Sequence, residues 1–260
     1  MRSMRARRGG PPRRWSRSHW AVVVVGVVAA AAVGVGGYLV LDHSSGPSGP
    51  RALTADEVNR LAIARFRNYE AGGRAVTITV PTTAGGLVIT GSVDYRGGLG
   101  YGVVRGTGRD ASGDGLIQWD ATTVFAHPMA DVPAEPPASP PEGQWHRRPL
   151  QTSGSSLDSA LLIALNLGSD RPDNAELLPQ NGAAWVGRDE VGGHEVDVMS
   201  GPSARARPGT AGNVRYWVDP DGTMHRVQAD VASEPRPVVV DFDARPYVPV
   251  RPAPGVVPTR

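Results

Sequence analysis

The chain has 260 residues, 40% of them hydrophobic, enough for one large or two small domains with a substantial core. Its formal charge of +2 is unevenly placed: seven Arg and no acid precede residue 18, whereas residues 42–260 carry the other 20 basic residues, all Arg, against all 25 acids, a net −5. That acidic balance without a basic stripe argues against nucleic-acid binding, and the absence of Cys removes disulfides, thiolate chemistry and a lipid-modified N-terminal Cys.

Residues 1–19 form an Arg-rich arm. Residues 20–41 follow as an expected transmembrane helix, in which Ala21–Leu41 is an uncharged, almost wholly apolar run of 21 residues. At 1.5 Å per residue it spans about 31 Å as a helix, close to the roughly 30 Å hydrocarbon layer. It exceeds the roughly 7–15 residues of a signal-peptide apolar region, so an uncleaved signal anchor is expected. The Arg-rich flank predicts a cytoplasmic N-terminus and an extracytoplasmic C-terminal part, with Trp15, Trp20 and Tyr38 as interfacial aromatics. Residues 42–52, rich in Ser, Gly and Pro, read as a linker.

The domain is expected over 53–243. Thr54 and Glu57 have the capping-box spacing, and Leu53 with Val58 fits a hydrophobic staple. Val58, Leu61, Ala62, Phe66 and Tyr69 then trace one helical face up to Gly72-Gly73. Alternation predicts strands at 75–80 and 87–95, and shorter ones follow at 99–106, 115–120 and 122–127. Six Pro between Pro128 and Pro141 mark a surface loop.

Ser155–Leu167 is the second expected helix, apolar over most of its circumference. Hairpins then read around Gly192-Gly193 and around Asp219-Pro-Asp-Gly222, with a last strand at 237–243 and a Pro-rich tail over 244–260. About ten strands in sequential hairpins with few helices predict an α+β fold, a curved antiparallel meander around its helices.

The six His show no metal-ligand spacing, and G-x-S-x-G, S-x-x-K and G-K-[ST] motifs are all missing. The Asp219–Gly222 turn begins like a calcium loop but lacks the later ligands. No enzyme activity, cofactor or metal is therefore expected.

The stretches Ala184–Val198, Arg215–Val227 and Val238–Phe242 carry a distinct cadence: a strand, a Gly-Gly turn, a strand, a Trp-Val-Asp strand, an Asp-Gly turn and a basic-apolar strand. This resembles the second half of the LolA-like superfamily, which includes lipoprotein carriers and LprG/LppX-type lipid-binding envelope proteins, with an order of elements matching over about 53–243. The resemblance implies an open half-barrel with helices on its concave face, where acyl chains are held. It implies no catalytic residue. Where lipoprotein members have a modified Cys, this chain has the apolar run, making it a membrane-anchored variant. The expected function is non-enzymatic binding of a lipid or other apolar ligand at the cell envelope, with Leu61, Phe66, Leu157, Leu161 and Leu165 as candidate pocket residues. The alternative is an interaction or sensory ectodomain with an envelope protein partner.

Overall fold

The computed structural model describes residues 49–151, 153–202, 214–231, 234 and 236–256. The expected membrane span, the Arg-rich arm and most of the linker lie outside them. No helix among the described residues is long and apolar enough to cross a membrane. The part from Pro47 onward is a compact unit.

The chain runs β1 (Arg51–Ala52), α1 (Ala55–Glu70), β2 (Gly73–Thr82), β3 (Gly85–Asp94), β4 (Leu99–Gly108), a short 3-10 turn, β5 (Gly115–Trp119), β6 (Thr123–Pro128) and β7 (His146–Pro149). It continues through α2 (Ser156–Leu165), α3 (Leu177–Gln180), β8 (Ala184–Val191), β9 (His194–Ser200), β10 (Val214–Val218), β11 (Met224–Ala229) and β12 (Val238–Phe242). Among the described residues one antiparallel sheet holds twelve strands in the order β1-β8-β9-β10-β11-β12-β2-β3-β4-β5-β6-β7. Two meanders, β2–β7 and β8–β12, are therefore joined where β12 pairs with β2, with Phe242 opposite Val76. The count exceeds the expected ten because β1 and β7 are short edge strands, defined by their pairing rather than by any local pattern.

Local chemistry sets the elements. Thr54 and Glu57 form the capping box: the Thr54 N–H donates to Glu57 Oε2 at 2.8 Å and the Glu57 N–H to Thr54 Oγ1 at 3.3 Å. Arg51 adds two bonds to the same carboxylate, at 2.7 and 2.6 Å. Gly192 and Gly193 both take positive φ, 60° and 82°, as a tight two-residue hairpin turn between β8 and β9 requires.

Both main helices lie on the same face of the sheet, α1 against β2, β10 and β11, α2 against β2, β3 and β4. One apolar core joins Leu61 and Ala64 of α1 and Leu161 and Ala164 of α2 to side chains from Met199 on β9 to Val124 on β6. Those strands span about 38 Å at 4.8 Å per strand, whereas two helices side by side cover roughly 20 Å. That difference in width is consistent with a sheet that curves around the helices.

Over β4–β6 the opposite face is covered by the chain itself. The expected surface loop after β6 and the expected extended tail both pack onto it, placing Trp145, Val250, Ala253 and Val256 against Leu99 and Phe125. Gln118, fully buried, clamps the tail: its Nε2 donates to the Arg251 carbonyl at 2.8 Å and its Oε1 accepts from the Ala253 N–H at 2.7 Å. Apolar residues spaced by Pro thus serve as a covering strap.

Candidate functional site: an apolar groove beside the helices

Alternation along β2–β5 points Val76, Ile78 and Val80, then Ile89 and Val93, then Val104, then Ile117 and Trp119, toward the helices. Several positions facing the same way, among them Gly91, Gly100 and Gly102, have no side chain. Trp119, fully buried, fills the space over Gly100, and its Nε1 donates to the Leu161 carbonyl at 3.0 Å. Beneath α2 the sheet is therefore closely packed.

On the β10 side two clefts open, one of 350 Å³ and one of 330 Å³, and Arg65 and Tyr216 border both. The first is framed by Leu61, Leu177, Leu178 and Met224, the second by Leu162, Ile163, Leu167 and Val214. Each volume is near the lower end of small-molecule pockets, roughly 300–1,000 Å³. Leu177 leaves 48% of its surface exposed, rare for a large aliphatic side chain in this domain. Gly201 makes room for Tyr216: a Cβ there would lie 2.7 Å from the ring.

Arg65 is the polar centre of the groove. It forms a bidentate ion pair with Asp173 and donates from Nη1 to the Asn166 carbonyl at 3.1 Å, so it ties α1 to the end of α2 and to the loop before α3. Backbone bonds reinforce this: the Asp173 N–H donates to the Ala62 carbonyl at 2.8 Å and the Ser169 N–H to the Arg65 carbonyl at 3.2 Å. The Asp173 bond outweighs burial and raises the Arg65 pKa, keeping the guanidinium charged. Burial pushes the Tyr216 hydroxyl up, so it stays neutral. Deeper in, Asn68 donates to the Leu167 carbonyl at 2.8 Å and accepts from Arg74 at 3.0 Å, tying α1 to the chain after α2 and to β2.

Of the five expected pocket residues, Leu61 borders the groove. Leu161 is fully buried in the core, Leu157 and Leu165 pack against that core half-buried, and Phe66 is half-buried on α1 away from both clefts. Helical periodicity places leucines on one face without saying what stands opposite. At Leu161 the backbone carbonyl accepts from Trp119, a residue 42 positions away in the same core. The groove residues outside the expectation, Arg65, Leu177 and Tyr216, had no sequence signal beyond apolar or charged character. Their convergence depends on β8–β12 folding back beside α1.

No protein-family model and no curated protein matches the chain. Solved structures similar to it include a LolA superfamily protein from Nitrosomonas europaea, 12% identical, with 74% of this chain and 92% of that chain covered and a TM-score of 0.24. A lipoprotein-sorting protein domain from Vibrio parahaemolyticus, described as a putative outer-membrane one, is 9% identical over 73% of this chain and 91% of that chain, TM-score 0.25. A DUF1329 family protein from Desulfovibrio piger is 11% identical over 72% and 90%, TM-score 0.27.

Proposed function

We propose that this protein is a membrane-anchored, extracytoplasmic, non-enzymatic binding domain that holds a lipid or another apolar molecule in the groove between α1, α2, α3 and β10. The observation that carries this reading is the contrast within one face of the sheet: the space beneath α2 is filled, whereas the space bordered by Leu61, Leu162, Ile163, Leu177 and Tyr216 is open and mostly apolar. An apolar occupant would gain roughly 25 cal/mol for each Å² of carbon surface removed from water. Arg65 and Tyr216 at the junction of the clefts supply a polar end that can meet a headgroup. Arg65 is already charge-paired, so its part is to orient a ligand through spare N–H capacity rather than to neutralise a bare anion.

The resemblance of the β8–β12 segment to LolA-like proteins supports the same class of ligand. The run Ala21–Leu41 and its Arg-rich flank support anchoring with the domain outside the cytoplasm. A permanent anchor fits capture or presentation at the membrane surface better than transport across an envelope.

The test uses the unit from Pro47 onward, purified without denaturant. Native mass spectrometry should show a co-purifying lipid-sized adduct, and a fluorescent fatty acid should bind saturably and be displaced by lipid extract. A unit that is uniformly ligand-free and fails to bind the probe would overturn the proposal. For the anchor, the mature protein should begin before residue 20 by N-terminal sequencing; a start within or after the apolar run would overturn that part.

A further inference from the structure

Three side chains outside the groove converge where β9, β10 and β11 end. His194 opens β9 after the Gly-Gly turn, Asp219 follows β10, and His225 lies on β11. The sequence spacing gives no metal signature, because the residues come from three strands and meet only through hairpin register. In the structure one ligand atom from each lies within 4.8 Å of the other two. We infer that His194, Asp219 and His225 form a binding site for one divalent transition-metal ion, independent of the apolar groove.

Two of the three donors already stand at metal-chelating separation. His225 Nε2 is hydrogen-bonded to Asp219 Oδ2 at 3.0 Å, a contact that an ion held by both would replace. Bonds of about 2.0–2.2 Å in a tetrahedral centre place neighbouring donors roughly 3.3 Å apart. The Asp219 carboxylate is fixed: its other oxygen, Oδ1, accepts the N–H groups of Asp221 and Thr223, both at 2.9 Å, which turns Oδ2 toward the imidazole. Asp219 and His225 are largely buried, with 15% and 11% of their side chains exposed.

His194 completes the set from the exposed side. Its ring stacks on that of His225, with centroids 4.3 Å apart and planes 29° apart. Drawing its nitrogen into the coordination sphere takes a side-chain rotation, which its exposed position at a hairpin end permits. Two imidazoles and one carboxylate, without thiolate, favour zinc, copper or nickel over calcium or magnesium. Three protein donors leave a fourth position for water.

The test is a Zn²⁺ titration of the full-length chain, purified in detergent without a polyhistidine tag and stripped with chelator, read by calorimetry and elemental analysis. One ion should bind per chain. His194→Ala, a change at an exposed residue that leaves the fold intact by circular dichroism, and Asp219→Asn should each weaken binding at least about tenfold, as loss of a ligand costs no less than loss of an outer-sphere partner. His146→Ala, at an exposed histidine elsewhere, should leave it unchanged. No saturable uptake, or uptake that His194→Ala does not weaken, would show that Asp219 only builds the turn and that the histidines only pack, and the inference would fall.

Discussion

Beneath α2, Trp119 fills the space over Gly100 and closes the sheet against α2; beside α1 and α3, Leu177 and Tyr216 border clefts that no side chain among the described residues fills. Both regions lie on one face of one sheet, although α2 is apolar over most of its circumference and α1 along one face only. What separates them is where the ring over a glycine ends: Trp119 over Gly100 reaches the Leu161 carbonyl, whereas Tyr216 over Gly201 borders the clefts. Close packing is therefore available to this architecture, and the open groove is a departure from it. The contrast can be attacked from either side.

The largest effect is expected at Trp119. Replacing it with Ala removes a fully buried ring and its bond to the Leu161 carbonyl, and should cost about 3–5 kcal/mol in urea unfolding. A loss below about 1 kcal/mol would mean that the region beneath α2 is not tightly filled, and the contrast would collapse. Gly100→Ala attacks the same contact from the opposite strand. Its Cβ would stand 2.2 Å from Trp119 Cζ2, so the ring must move, at about 1–3 kcal/mol. In a double-mutant cycle most of that cost should vanish when Trp119 is already Ala.

On the open side, α1 depends at its start on charge as well as packing. The bidentate bond from Arg51, opposed in part by burial and helped by the Thr54 N–H, holds the Glu57 carboxyl down at about 2, from an ordinary value of 4.5. A depressed folded-state pKa means that the stabilisation is complete above about 4.5 and is lost as pH falls toward 2. Glu57→Gln should lower stability at neutral pH by about 1–2 kcal/mol, discounted because Arg51 is partly exposed, and should flatten the acid limb of the stability curve. An acid limb identical to wild type would show that this end of α1 is held by packing alone.

What the sequence revealed follows the range of the interaction that sets each feature. The capping box, the Gly-Gly and Asp-Gly turns and the alternating strands are local, and they were legible. The two edge strands were not, since Arg51–Ala52 and His146–Pro149 are strands only because β8 and β6 offer them partners. Nor was the docking of the tail, which turns on Gln118 reaching residues more than 130 positions later. The groove was half legible: a bordering leucine on α1 could be named, whereas Arg65 and Asp173, 108 residues apart, meet only once the loop after α2 lies on α1. The leucines of α2 were the natural candidates for a pocket because they are apolar and in step. Trp119 could not be assigned as their neighbour without the register of β4 and β5.

The smallest stability effect is expected where the effect on binding should be plain. Leu177, with 48% of its surface exposed at the edge of the first cleft, contributes little to the core. Leu177→Ser should therefore change unfolding free energy by no more than about 0.5 kcal/mol. If the groove holds an apolar molecule, the same change removes part of its wall and should weaken uptake of a fluorescent fatty acid several-fold, whereas Val248→Ser, at the equally exposed residue of the tail beside a separate cleft of 160 Å³, should not. Equal effects at the two positions would mean that the probe samples exposed carbon in general. A loss confined to Leu177 would separate surface left open for a ligand from surface that is merely uncovered, which is the distinction that the filled and open halves of this sheet pose.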